Sequence, residues 1–371
     1  MLRKASVGLI ILCAFGNACL YAQSPTATKP ATSASSPPVV LPAPSPTPTR
    51  SPTTEELIES LTSADVQTAI SLLKSNFTNP EAINETQLSR ATLQGLIVRL
   101  NNGLLLLPAK DVAPPEPTAP FYSEILEGHV GYLRAGALTT PNLQALDKKL
   151  TEFGENKVDA LVLDLRASGS SDFGIAAEFA KRFVTKGKSL FALRKQGKQG
   201  RSFAADRDSV YNGLIVLLAD RDTYGGAEAV AAALRFHSKA LIIGQATAGR
   251  AVQYSDLPLP SGKVLRIAVA ECTGPDGKSL YPGGAKPDLP VELAAVDKRQ
   301  IFVTSASKGM GPFIHDTERP HLNEAALIAG TNPELETSEQ RRGRTQATPV
   351  HDSVLQRALD LITSLEIYQK R

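Results

Sequence analysis

Apolar residues recur at two different spacings along the chain, and the spacing separates predicted helices from predicted strands. Between residues 143 and 243, short apolar runs alternate with segments whose apolar residues recur every three or four positions. The predicted strands are Ala160–Leu165, Leu214–Ala219 and Ala240–Ile243. The predicted helices are Leu143–Phe153, Phe173–Val184 and Ala227–Phe236. Continuous apolar strands that alternate with helices predict an α/β fold, with a mostly parallel sheet flanked by helices.

Two further segments with helical spacing precede this region. They predict helices over Glu55–Leu73 and Thr86–Leu100, and the leucine run Leu104–Leu107 follows them. Because a run of four leucines must be covered by other residues, we expect it to pack. We assign residues 54–107 to an N-terminal helical subdomain.

A basic segment lies between the second predicted helix and the second predicted strand of the α/β region. Lys186–Arg201 carries six Lys or Arg residues, with Gly197 and Gly200 at candidate turn positions. This pattern predicts a solvated β-hairpin. Its basic face is interpreted either as a plain exposed surface or as a site for an acidic partner.

The first residues resemble an export signal. Arg3 and Lys4 precede the apolar run Val7–Phe15, which is too short to span a bilayer, and Ala22 is a candidate cleavage position. We therefore predict a signal peptide over 1–22, export to the periplasm or cell envelope, and no transmembrane span after its removal. Lipidation at Cys19 is the alternative.

Composition sets further bounds. Residues 23–53 are rich in Pro, Ser and Thr and predict a disordered tether. The chain has 371 residues, a formal net charge of +3, no Trp and 5% aromatic residues. Because nucleic-acid sites need a strong positive field or stacking platforms, we expect no nucleic-acid partner. Signal removal would leave Cys272 alone, without a disulfide partner, and we interpret it as a small core or loop residue.

No cofactor or metal site is predicted. The chain has no phosphate-binding loop and no dinucleotide fingerprint. Its histidines lack metal-ligand spacing; they are His129, His237, His315, His321 and His351.

Four motifs, in order, resemble those of the tail-specific (C-terminal processing) serine proteases. They are Val130–Arg134 (VGYLR, for I-G-Y-I-R), Leu161–Arg166 (LVLDLR, for L-I-L-D-L-R), Gly284–Asp288 (for G-x-x-P-D) and Asp352–Leu359 (for D-x-x-L-x-x-A-L). The resemblance implies a crotonase-like layered core over 123–291 and a C-terminal helix in 351–371 that packs on it. Only the linker 108–122 stands where that family usually has a PDZ domain, and 292–350 is interpreted as an insertion, partly disordered.

The segment Gly213–Gln253 resembles the active-site segment of that family, but without its reacting groups. The middle serine of the family's S-A-S-A-S-E turn is the nucleophile, and a lysine 25 residues later is the base; the aligned positions here are Gly225 and Arg250. Glycine has no hydroxyl, and arginine stays protonated in proteins, so this pair cannot perform Ser–Lys catalysis. The family's supporting glutamine aligns with Gln253, with one residue deleted between it and the base position.

The oxyanion loop also departs from the family pattern N-N-P-G-G. Here the segment is Ala167–Ser171 (ASGSS), so Ser170 and Ser171 occupy the glycine positions. Side chains there narrow the site or shift the N–H donors, whose aim decides oxyanion stabilisation.

Three functions stay open at this point. The first is a catalytically inactive member of the family that binds a peptide or an unfolded protein segment. The second is an active serine-type peptidase with displaced residues, for which Thr223, Ser170 and Ser171 are candidate nucleophiles; Ser168 lies nearby, and Lys239 is the nearest lysine. The third is a purely structural envelope protein. The oligomeric state is not predicted.

Two expectations about the site separate these functions. Arg250 either pairs with an acid such as Glu228 or Asp220, or it binds a carboxylate or carbonyl of a partner. A groove lined by Gly225 and Arg250 would favour peptide binding by strand addition. A groove filled by Ser170, Ser171 or Tyr224 would not.

Overall fold

The computed structural model of the chain describes residues 53–108, 118–195, 197–314 and 350–369. Its helices are α1 Thr54–Ser60, α2 Ser63–Asn76, α3 Glu85–Arg99, α4 Thr140–Glu155, α5 Phe173–Ala180, α6 Gly226–His237, α7 Ala295–Lys308 and α8 Ser353–Gln369. Its strands are β1 Leu104–Leu107, β2 Tyr122–Leu126, β3 Val130–Arg134, β4 Ala160–Asp164, β5 Gly169–Ser170, β6 Ser189–Lys195, β7 Lys198–Ala204, β8 Leu214–Ala219, β9 Tyr224–Gly225, β10 Leu241–Gly244, β11 Val252–Pro258, β12 Val264–Thr273 and β13 Leu289–Pro290. The predictions for 1–22, for nearly all of 23–53 and for 315–349 lie outside the described residues.

The chain divides into two compact units, the first ending at Leu73. Its described part is α1 and most of α2, where we predicted one continuous helix; that prediction is wrong. The chain is extended at Leu61, and the Thr62 hydroxyl accepts a hydrogen bond from the Asp65 main-chain N–H at 3.2 Å. Because Thr62 caps the start of α2, the helical hydrogen bonding of α1 stops before it.

A six-stranded sheet lies at the centre of the second unit, in the order β13-β10-β8-β4-β3-β2. β13, β10, β8, β4 and β3 pair in parallel, and β2 pairs antiparallel with β3 at the edge. All three predicted strands are present, as β4, β8 and β10. The predicted α/β class with a mostly parallel sheet is confirmed.

The two faces of this sheet bury alternate residues of the same strands. On one face, Leu161 and Leu217 pack into a core shared with α4, α5 and α6. On the other face, Val162 and Val216 pack into a core shared with α7 and α8. Both faces are covered, so the strands carry apolar residues at successive positions.

A second sheet, antiparallel throughout, contains β1, β6, β7, β11 and β12. β6 and β7 form the predicted basic hairpin, with Gly197 at φ +69° in its turn. The leucine run Leu104–Leu107 is β1, which pairs with residues 264–267 of β12. The apolar pattern predicted neither β11 nor β12.

Two segments differ from the predictions: the end of the helix α5 and the first part of the predicted insertion. The helix predicted over Phe173–Val184 ends at Ala180, because the next turn is closed by i to i+3 hydrogen bonds, such as Phe183 N–H to Ala180 O at 3.0 Å. In the predicted insertion, α7 buries Ile301 and Phe302 in the second core. No helix among the described residues is long and apolar enough to cross a membrane.

A buried ion cluster fastens α8 to the sheet beside the loop that follows β4. The Arg166 guanidinium donates to both oxygens of Asp164 and to both oxygens of Asp352, at 2.7 to 3.1 Å. The Tyr132 hydroxyl donates to Asp164 at 2.7 Å. Burial by itself would raise the pKa of Asp352, but the Arg166 charge holds that pKa below its ordinary value. The chain that leads into the oxyanion loop is thereby held at Arg166.

Candidate active site

The turn between β8 and α6 contains a threonine, Thr223, whose hydroxyl is hydrogen-bonded to the main chain. Thr223 is fully buried. Its hydroxyl accepts a hydrogen bond from the Asp220 N–H at 3.1 Å and donates to Leu165 O at 2.7 Å. The hydroxyl therefore caps this turn by accepting a main-chain N–H, and its proton already has an acceptor.

Gly225 follows in a conformation that suits only a residue without a side chain. Its φ is +58° and its ψ is −118°. The pairing of β5 with β9 places Ser170 beside Gly225, and a Cβ built on Gly225 would lie 2.3 Å from the Ser170 carbonyl oxygen. The direction in which a nucleophile's side chain would point is thus filled by the main chain of the oxyanion loop.

Tyr224 fills a second part of this region. Its ring lies so close to Gly169 that a Cβ built on that glycine would be 2.3 Å from it. The guanidinium carbon of Arg250 lies 4.7 Å from the centre of the same ring. Arginine and tyrosine therefore form a cation–π contact at the predicted base position.

Glu228 binds the main chain at both the predicted nucleophile position and the predicted base position. It is fully buried and accepts four hydrogen bonds, from the main-chain N–H groups of Gly225, Gly249 and Arg250 and from the Thr247 hydroxyl, at 2.6 to 2.9 Å. Burial raises the pKa of Glu228, and these hydrogen bonds oppose the rise. The sequence suggests Glu228 only as a counterion for the Arg250 side chain. In the structure, Glu228 accepts a hydrogen bond from the Arg250 main-chain N–H. An acid three residues after the residue that precedes a helix is the capping-box signal that could have revealed this role.

Asp220, the other acid considered for Arg250, binds a lysine that the sequence did not single out. The Lys298 ammonium donates to Asp220 and, at 2.6 Å, to Asp222. Burial alone would lower the pKa of Lys298, but the hydrogen bonds and charges of the two carboxylates raise it. Lys298, which lines a cleft of about 490 Å³, is therefore held as an ammonium ion and not as a neutral base.

The serines of the oxyanion loop have local roles. Ser170 Oγ accepts from the Asp172 N–H at 3.0 Å, and Ser171 is exposed. Ser168 is buried, and its Oγ has no hydrogen-bond partner among the described residues. Ser170 thus affects Gly225 through its carbonyl oxygen and not through its side chain.

The remaining sequence candidates lie away from the turn. Gln253 is exposed on β11, opposite Ala270 and next to a β-bulge. Lys239 follows α6 and Gly225 precedes it, so the 12-residue helix separates them by about 18 Å along its axis. Lys239 is therefore too far from the candidate hydroxyls near Gly225 to serve as their base.

Cys272 is buried in the core, and burial raises the pKa of its thiol to about 12, as expected for a core residue.

An open stretch of strand lies on the second sheet. β11 pairs with one side of β12, whereas on the other side β1 pairs with 264–267 and β6 with 271–273. Among the described residues, Ala268 and Ala270 therefore have a strand partner on the β11 side alone, and Val269, at the β-bulge, pairs with neither side. A cleft of about 600 Å³ opens here, lined by Arg194, Lys195, Gly197, Val252, Ala268–Glu271 and Tyr281.

Comparison with known proteins gives a family match over part of the chain. Residues 129–291 match the model of peptidase family S41. The chloroplast C-terminal processing peptidase of Tetradesmus obliquus is 27% identical over 164 residues, 44% of this chain and 35% of that protein. The carboxy-terminal-processing protease of Bartonella bacilliformis is 30% identical over 178 residues, 47% of this chain and 41% of that protein. The motif resemblance is thereby confirmed, over about two fifths of the length of these relatives.

Comparison with solved structures also gives matches. The photosystem II D1 C-terminal processing protease is 22% identical, with a TM-score of 0.41, over 56% of this chain and 52% of that chain.

Proposed function

We propose that this chain, whose residues 129–291 match peptidase family S41, binds protein segments without cleaving them. One observation carries the proposal: the Ser170 carbonyl oxygen lies 2.3 Å from where a Cβ of Gly225 would be. The position lacks a hydroxyl, and the space for one is taken.

The neighbouring groups do not replace the missing pair. A serine-type peptidase needs a hydroxyl and a neutral base within about 3 Å of each other. The Thr223 hydroxyl donates to Leu165 O, Lys298 is bound by two carboxylates, and arginine stays protonated at position 250. Hydrolysis by displaced residues would require the Thr223 hydroxyl and the Lys298 ammonium to leave these partners.

The cleft beside β12 is the better candidate for the binding surface. The groove at Gly225 is filled by Ser170 and Tyr224, which disfavours the peptide groove that we considered at Gly225 and Arg250. Residues 268–270 offer main chain without a second strand partner, and the exposed side chains of Arg194 and Lys195 stand beside them. An extended segment with acidic side chains matches both features, by strand addition and by charge.

The N-terminal sequence supports a location for this activity. Its basic residues and short apolar run have the pattern of an export signal, so we propose that binding takes place in the periplasm or cell envelope. A fusion of residues 1–53 to alkaline phosphatase, which is active only after export, tests this; an inactive fusion would count against it.

The absence of hydrolysis is tested with unfolded casein and a serine-reactive fluorophosphonate probe. We expect no casein fragments and no labelled residue in the purified protein. Labelling at Thr223, Ser170 or Ser171, with cleavage that Thr223→Val or Ser170→Ala removes, would instead establish a displaced active site.

Binding is tested by fluorescence anisotropy with a labelled, extended peptide rich in Asp and Glu. Charge reversal in Arg194→Glu or Lys195→Glu should weaken binding about tenfold, or ~1.4 kcal/mol. The matched control is Lys186→Glu, which reverses an exposed charge before the same hairpin but outside the cleft. Equal affinities for all variants would reject this cleft, and no binding at all would favour the purely structural role.

A further inference from the structure

Three candidate ligand groups meet at the edge of the central sheet where its parallel strands begin. His129 directly precedes β3, Asp159 directly precedes β4, and Glu366 lies in the last turns of α8. The Asp159 N–H donates to His129 O at 3.3 Å, which brings these two residues side by side. The ligand atoms of all three side chains lie within 4.8 Å of one another. Gly225 lies at the opposite edge, because it follows the carboxyl end of β8.

The hydrogen bonds of the His129 ring determine which nitrogen faces the acids. Nδ1 lies 2.9 Å from the Glu127 carbonyl oxygen. Because a carbonyl can only accept, Nδ1 carries the hydrogen, and Nε2 is left to face Glu366 Oε1 at 3.1 Å. A neutral imidazole would then place a lone pair against a carboxylate lone pair. A cation, either a proton on Nε2 or a metal ion, is needed between them.

This arrangement has the features of a transition-metal site. A histidine that binds a metal through one nitrogen commonly donates its other N–H to a main-chain carbonyl, as His129 does to Glu127. Two ligand atoms on a tetrahedral zinc ion lie about 3.3 Å apart, close to the 3.1 Å between Nε2 and Oε1. The His129 side chain is 37% exposed and that of Glu366 22%, so ions in solution reach the cluster.

We propose that His129, Asp159 and Glu366 bind one Zn²⁺ ion, which fastens the end of α8 to the sheet. One imidazole and two carboxylates suit Zn²⁺, with water in the fourth position, and do not suit Ca²⁺, which prefers oxygen ligands alone. The sequence did not reveal this site because its ligands are up to 237 residues apart in the chain.

Equilibrium dialysis and calorimetry with Zn²⁺ at pH 7.5 test the site, on the full chain prepared without a histidine tag. We expect one Zn²⁺ per chain, with at least tenfold weaker binding in each of His129→Gln, Asp159→Asn and Glu366→Gln. His237→Gln is the matched control, because that histidine binds Ser189 O and is not one of the three proposed ligands, and it should retain wild-type affinity. Ca²⁺ should not compete.

Thermal unfolding gives a second measurement of Zn²⁺ binding, through the stability of the fold and not through the amount of bound metal. Zn²⁺ should raise the Tm of the wild type and of His237→Gln, but not that of Glu366→Gln, whose fold is checked by far-UV circular dichroism. Equal Zn²⁺ affinity in wild type and His129→Gln would overturn the proposal. It would also be overturned by an absence of stoichiometric binding, in which case a proton alone bridges His129 and Glu366.

Discussion

At residue 225, the predicted nucleophile position holds a glycine, and the groups around it leave no room for a side chain. The Ser170 carbonyl oxygen occupies the direction of a side chain, and Tyr224 fills the space beside it. A serine at this position would therefore place its side chain against main-chain atoms.

Gly225→Ser, alone or with Arg250→Lys, should not produce a peptidase. The new Cβ would require the Ser170 carbonyl to move, and the serine would have to adopt the positive φ of Gly225. The two effects together should lower the free energy of unfolding by about 2–4 kcal/mol. Urea denaturation and casein digestion measure both outcomes.

Gly283→Ser is the control for this substitution. A Cβ at Gly283 has no heavy atom within 4 Å, and its φ is not in the left-handed region. It should change stability by less than about 0.5 kcal/mol. A Gly225→Ser protein as stable as the control, or one that digests casein, would contradict our account of the site.

The sequence predicted the two dyad positions but not the contacts made there. The prediction of Gly225 and Arg250 rests on a 25-residue spacing. The Tyr224 contact with Arg250 and the hydrogen bonds to Glu228 depend on loops that meet only after folding. Local periodicity carries no information on such main-chain donors.

At the scale of elements, the central sheet was predictable, whereas of the second sheet only the hairpin of β6 and β7 was. β4, β8 and β10 are buried on both faces, so continuous apolar runs mark them directly. β1 pairs with a part of β12 about 160 residues away, as in Leu104 opposite Ile267. Its leucines look alike in a helix or a strand, and only the distant partner decides between them.

The attachment of α8 to the sheet depends on the pair formed by Arg166 and Asp352. Asp352→Asn should lower the free energy of unfolding by about 3–5 kcal/mol at pH 7, because the Arg166 charge would be buried with one carboxylate fewer. Asp360→Asn, an exposed position on the same helix, is the matched control and should have little effect. Urea denaturation of both variants measures the difference.

This contribution should also depend on pH. Because folding lowers the pKa of Asp352 from its ordinary 3.8, the carboxylate stabilises the fold above that value, and the stabilisation is lost as pH falls through the lower folded pKa. The stability difference between wild type and Asp352→Asn should therefore shrink below about pH 4. A difference that stays constant down to pH 2.5 would show that Asp352 acts through packing and not through its charge.

At the scale of the whole molecule, the chain segments on the two sides of residues 315–349 lie next to each other. Residues 315–349 lie outside the described part of the chain, but both of their flanks are held together. The Asp352 N–H donates to Phe313 O at 3.0 Å, and Ile314 and Val350 both pack against the second core. The chain therefore leaves and rejoins the domain at nearly the same place, and the fold does not need a long connection there.

Replacement of residues 315–349 by a six-residue Gly/Ser linker should leave the domain folded and slightly more stable. If the 35 residues add no packing, the shorter loop should raise the free energy of unfolding by about 1.5 kcal/mol, since each halving of a flexible loop contributes roughly 0.6 kcal/mol. A twelve-residue linker should then be about 0.6 kcal/mol less stable than the six-residue linker. Urea denaturation of the three proteins would give this order. A loss of several kcal/mol in both variants would mean that 315–349 packs on the core, and that the closure at Phe313 and Asp352 does not by itself hold α7 and α8 together.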